Sequence, residues 1–147
     1  MSASEGTTPD LSLDVTLVMR SHPCYLPIVR AMVGKLAAVI GWDESESRAI
    51  TLAVDEALAN VIRHAYHGRP DGQIELICRV GGGELEVRIQ DTGDPPNPAL
   101  ICAREVGCDQ VGGLGTHIIR DVMDTVSYQV FPEGNRFTAA KRFKRQT

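Results

Sequence analysis

Glu56, Asn60, His64 and Asp91 are polar residues whose types and spacing could serve phosphate chemistry. In a helix, residues four apart lie about 40° from one another around the axis. Glu56, Asn60 and His64 would then form a polar spine at the shoulder of an apolar stripe. A carboxylate one turn from a carboxamide suits a metal-phosphate site, because an Asn oxygen is a hard Mg²⁺ ligand and a Glu can orient or deprotonate a nucleophile. The same spacing also fits a solvated helix flank, where both residue types are common. Asp91 continues the alternation of Leu85, Val87 and Ile89, which points it toward the apolar side of a strand. A carboxylate there needs donors. A ligand such as an adenine amino group can supply one, and so can the backbone amides of a turn starting at Asp91-Thr92-Gly93. Gly112, Gly113 and Gly115 surround Leu114 just before an apolar helix, a flexible approach to a helix N-terminus whose free amides favour phosphate. This run is neither G-x-x-x-x-G-K-[ST] nor a strand-to-helix G-x-G-x-x-G, which argues against Walker-type and dinucleotide-binding sites.

The elements that must position these residues follow from periodicity. Leu11, Leu13, Val15, Leu17 and Met19 alternate as in a half-buried strand. Residues 26–40 carry helical spacing through Leu26, Val29, Met32, Val33, Leu36 and Ile40, and Gly41 ends the run. Asp43 followed by Glu46 resembles a capping box and opens a second helix to about His67, with Ile50, Val54, Ala57, Leu58, Val61 and Ala65 as its stripe. Two alternating strands, 74–80 and 85–89, meet at Gly81, Gly82 and Gly83 as a hairpin. The stretch 91–115 is too long for an ordinary connection and reads as a functional lid, with 95–111 as its moving part. A short helix through Leu114, Ile118, Ile119, Val122 and Met123 precedes two closing strands, 126–131 and 137–143, which turn at Pro132-Glu133-Gly134-Asn135. The sum is an α+β fold: a two-layer α/β sandwich with a mainly antiparallel sheet and its helices on one face. Residues 1–10 read as a disordered tail and 11–147 as one domain.

Composition narrows the classes further. Fifteen Lys and Arg against nineteen Asp and Glu give a formal charge of −4 over 147 residues, which disfavours a sequence-independent grip on nucleic acid. The basic cluster Lys141, Arg142, Lys144 and Arg145 reads as a solvated chain end. Cys24, Cys78, Cys102 and Cys108 form no CxxC pair and no apolar leader is visible, which suggests a reducing cytoplasm. His64 and His67 lack the Cys or Glu companions of a zinc site. No apolar run approaches the roughly 20 residues of a membrane helix.

In order and spacing these motifs resemble the GHKL ATPases, the superfamily of gyrase, heat-shock chaperone, histidine kinase and MutL. Glu56-Ala57-Leu58-Ala59-Asn60 resembles the N box, followed by Arg63 and His64 where relatives often carry a basic residue and a His. Asp91-Thr92-Gly93 resembles the first glycine box, whose Asp holds adenine, and Gly113-Leu114-Gly115-Thr116-His117 the second, which closes on the phosphates. The resemblance spans 11–143 and implies a Bergerat-type fold that binds ATP or ADP with Mg²⁺. It gives Glu56 as the catalytic base, Asn60 as the metal ligand, and Arg63, His64, Asp91, Gly93 and 113–117 as nucleotide contacts.

Within the superfamily, Val54 through Asn60, His64-Ala65-Tyr66, and Gly112 through Asp124 are most similar to the anti-sigma-factor serine kinases. That similarity implies a sigma factor and a small antagonist protein as partners, the antagonist being phosphorylated on serine. Charge and the lack of a long apolar run argue against direct contact with nucleic acid or membrane, and a homodimer is allowed. A regulatory module that binds nucleotide without transferring phosphate is the alternative. A sensor histidine kinase would need a phosphoacceptor hairpin before the N box, where only a tail, a strand and one helix are expected. The chain departs from the pattern twice. Pro95 stands where many relatives have a second Gly, which predicts a stiffened lid, and Asn135 follows Gly134 where Thr is common, which predicts a weakened polar contact near the nucleotide.

Overall fold

The computed structural model of the chain describes residues 11–96 and 114–143, with side chains in the last helix from 117 onward. Along the chain come β1 (Leu13–Arg20), α1 (Leu26–Ile40), α2 (Glu44–Asn60), a π-helical turn (Val61–Ala65), β2 (Gln73–Gly81), β3 (Glu84–Asp91), α3 (Leu114–Val122), β4 (Thr125–Phe131) and β5 (Gly134–Arg142). The strands form one sheet in the order β1-β2-β3-β5-β4, and each adjacent pair is antiparallel.

Period-two alternation decides which face is buried. Register aligns Leu17, Leu76, Ile89, Phe137 and Tyr128 in one row across the sheet, and Val15, Cys78, Val87, Ala139 and Val126 in the next. These rows share a core with Val29, Val33 and Leu36 of α1, Ile50, Val54, Ala57 and Leu58 of α2, and Ile119 of α3. The helices therefore lie on one face, in the expected two-layer α+β arrangement. α2 packs against both α1 and α3. Arg30 Nε, 2.9 Å from Asp55 Oδ1, ties α1 to α2.

Local signals set the helix ends. Gly41 closes α1 in the left-handed region at φ 96°, and the Asp43 carboxylate accepts from Glu46 N at 2.8 Å to open α2. The stretch Pro23–Ile40 is, by length and composition alone, apolar enough to cross a membrane, contrary to the expectation that no run comes close. Here it serves as a packing helix that buries Val29, Val33, Leu36 and Ala37.

Strand ends shift by one or two residues, and two boundaries differ more from the sequence reading. The second helix does not run α-helically to His67: it widens to a π turn after Asn60, and His67 is left-handed at φ 52°. β5 starts at Gly134, three residues early, because the turn needs only Pro132 and Glu133. Gly134 lies so close to the Asp91 carbonyl that a side chain there would collide with it. The tail 1–10, most of the lid (97–113, with Gly113), Cys102, Cys108, Lys144 and Arg145 lie outside the described residues, as do the side chains of Leu114, Gly115 and Thr116.

Ile89 lies fully buried on the central strand between Leu76 and Phe137. Ile89→Ala should cost about 2–5 kcal/mol, the range for deleting a buried aliphatic side chain. Urea denaturation of the variant beside wild type measures it.

Candidate functional site

The junction between the end of α2 and the end of β3 is built from buried polar groups. Asp91 closes β3 on its inward face and is only 4% exposed, as its parity requires. Gly93 N donates to Asp91 Oδ1 at 3.0 Å, and Asn135 Nδ2, from the paired position on β5, donates to the same oxygen at 2.8 Å. Asp91 therefore caps a turn amide, and it is buried as its parity required. Burial raises its pKa above the usual carboxylate value, and the bonds from Asn135 and Gly93 only partly oppose that rise. Tyr128, across the inner face on β4, has its hydroxyl pKa raised by burial and further by the Asp91 charge.

The α2 end is pinned to this junction. Tyr66, buried just past the π turn, donates through its hydroxyl to Gln73 O and accepts from Thr92 N at 2.9 Å. Asp94 N donates to Ala65 O at 2.9 Å. Gly93 is pressed against that residue: a Cβ on it would sit 2.5 Å from the Ala65 carbonyl oxygen. Glycine is required here for close approach. Exposed His67 Nε2 lies 2.7 Å from Asp94 Oδ2.

From within the π turn, a single guanidinium nitrogen reaches back to the N-box oxygens. Arg63 Nη2 donates to Asn60 Oδ1 at 2.9 Å and lies 3.8 Å from Glu56 Oε2. Two hard oxygens thus converge on one cationic group, a donor set that also suits Mg²⁺. Arg63 is 60% exposed and so has room to turn away. His64 is exposed and lies on the π turn, four residues beyond Asn60. His117, on the first turn of α3, is also exposed, and α3 packs on α2. A cavity of about 250 Å³ beside the Asp91–Asn135 pair includes Glu75, Gln90 and Arg136, side chains of the sheet's outer face, and contains neither Glu56 nor Asn60. The carboxylate and its hinge mark the site better than that cavity does.

Asn135 makes a buried, charge-assisted bond to Asp91, consistent with its inward parity with Phe137 and Ala139. Ala65 and Tyr66 enter the sequence analysis only through the apolar stripe and the His64-Ala65-Tyr66 motif, and Tyr128 not at all, because nothing local marks their contacts with the end of β3.

A family model described as the histidine kinase-like ATPase domain matches residues 19–141. The chain belongs to this family. It is 31% identical over 120 residues to the serine-protein kinase RsbW of Listeria innocua, covering 76% of each chain. With the RsbW of Bacillus subtilis it shares 27% over 129 residues, covering 78% of this chain and 77% of that one. Its fold is similar to the RsbU and RsbW domains of Rv1364c from Mycobacterium tuberculosis, with a TM-score of 0.66 at 18% identity, over 92% of this chain and 33% of that one. It is also similar to a blue-light activated histidine kinase of Erythrobacter litoralis, with a TM-score of 0.56 at 18% identity, over 84% of this chain and 42% of that one. The described sheet and helices of this family member agree with that fold class.

The raised pKa of Asp91 sets a sign. The folded protein holds this proton more tightly than the unfolded chain does, so the carboxyl's contribution is intact below the ordinary range near pH 4 and is lost as pH rises through the folded value. Asp91→Asn keeps an acceptor for Gly93 and Asn135 without the charge. Its stability relative to wild type should therefore rise between about pH 4 and pH 7. Denaturant titrations of both proteins at several pH values test this, and a constant difference would contradict it.

Proposed function

We propose that this chain is an ATP-dependent protein serine kinase of the anti-sigma-factor type: it restrains a sigma factor and phosphorylates a small antagonist protein in a cytoplasmic partner-switching pathway. The observation that carries the proposal is the convergence of Glu56 and Asn60 on one cation, on the helix whose far end is bonded to the buried Asp91 turn. The names of the RsbW relatives, and a structural neighbour that pairs an RsbU with an RsbW domain, support the choice of substrate class.

In this reading Asp91 accepts from the adenine amino group, while Gly93 lets the strand end lie close to α2. Asn60 Oδ1 would hold Mg²⁺ in place of the Arg63 guanidinium, and Arg63 would then face the phosphates together with His64. Leu114, Gly115, Thr116 and His117 form the first turn of α3, with Gly113 just before it in sequence, and the free amides of a helix N-terminus favour phosphate oxygens. Mg-ATP supplies the phosphoryl group, with ADP as the leaving product. Glu56 accepts the proton of the attacking serine hydroxyl. Such transfer depends mainly on positioning and charge neutralisation, so the two N-box residues should fail differently.

Glu56→Ala should leave nucleotide affinity nearly unchanged and slow transfer by about 10²- to 10⁴-fold. Asn60→Ala should weaken Mg²⁺-dependent binding itself. Radiolabelled phosphate transfer to an antagonist protein, run beside calorimetry, separates the two. A wild-type protein that binds Mg-ATP and its partner yet never transfers phosphate would replace the kinase with a nucleotide-gated binding module.

A further inference from the structure

One side-chain nitrogen holds three acceptors at the end of β3. Asn135 is 4% exposed, and its Nδ2 lies 2.8 Å from Asp91 Oδ1, 3.1 Å from Gly93 O and 3.2 Å from Asp94 O. An amide nitrogen carries two hydrogens, so at least one of them is shared between acceptors. All three acceptors belong to 91–94, where β3 gives way to the segment leading toward the glycine run. The same four residues are fastened from the other side by Tyr66 Oη, Ala65 O and His67.

We infer that Asn135 is a positioning residue with two linked tasks: it fixes the orientation of the Asp91 carboxylate, and it latches the Gly93–Asp94 hinge to β5. The inference rests on the adenine role proposed for Asp91. Because one nitrogen performs both tasks, moving the hinge disturbs the group that reads the base, and an incorrect base disturbs the hinge. A hydroxyl could not do the same. Thr carries one donor hydrogen and a shorter reach, so it can satisfy the carboxylate but leaves the two carbonyls without this partner. The departure at Asn135 therefore couples two parts of the site that a Thr would leave separate.

Wild type, Asn135→Thr and Asn135→Ala separate the tasks. Amide hydrogen exchange at Gly93 and Asp94 without nucleotide reads the latch, and calorimetry with ATP and GTP reads base preference. Asn135→Thr should keep the preference for ATP to within about threefold while exchange at the two amides rises by roughly tenfold or more, as expected for freer local opening. Asn135→Ala should show the same rise and also lose at least about tenfold in ATP-over-GTP preference, the loss expected when a buried polar reader goes unsupported. Thermal melting of each variant checks that the fold persists. Equal losses for ATP and GTP in Asn135→Ala would reduce the residue to a packing role and overturn the inference. Unchanged exchange in both variants would overturn the latch. A wild-type protein that binds neither nucleotide would overturn the Asp91 reading and the base-preference half with it, while the exchange measurement still decides the latch.

Discussion

A carboxylate at the buried end of the central strand is the constraint around which the candidate site is arranged. Removing an ion from water costs several kcal/mol, and each hydrogen bond to a charged group returns about 1.5–3 kcal/mol. Two such bonds, from Gly93 N and Asn135 Nδ2, come near to balancing the loss without exceeding it. The raised pKa of Asp91 reflects the same balance, with burial as the larger influence. A fold selected for stability alone would gain by replacing this group with an apolar one, as its neighbours in the row on β1 and β2 show: Met19 and Ile74 are both buried. Keeping an acidic group there, with an amide beside it, fits a site built to recognise a donor.

The geometry around Asp91 restricts everything that touches it. Gly93 must lack a side chain because Ala65 lies against it, and Gly134 because the Asp91 carbonyl does. Tyr66 must be at the helix end because its hydroxyl bonds both the start of β2 and the turn after β3. The π turn lies between the N-box pair and Tyr66, so α2 presents Glu56 and Asn60 along one flank and delivers Tyr66 to the sheet. π turns recur at functional sites because the extra residue lets a helix re-aim the side chains beyond it.

Arg63 gives the N-box oxygens a different electrostatic situation from that of Asp91. It faces solvent, where an ion pair contributes little to stability. Its contact with Asn60 and Glu56 is thus easily exchanged for another cation, whereas the Asp91–Asn135 contact is sealed in the core. The base-reading end of the proposed site is rigid and the phosphate end is adaptable.

Much of this organisation is written in the sequence. Alternation fixed the inward parity of Asp91, helical spacing placed Glu56 one turn from Asn60, and Gly41 and Asp43 set helix ends, because these signals are local and depend only on backbone geometry. Tertiary structure decided what local signals cannot carry. The strand order that places β5, and not β4, beside β3 made Asn135 the neighbour of Asp91. The α-to-π change after Asn60 and the helix end that follows brought Tyr66 and Ala65 to Thr92, Gly93 and Asp94. Those contacts join residues 26 to 44 positions apart, and their partners are set by which strands pair and where the helix layer lands, a property of the packed chain and not of any one segment.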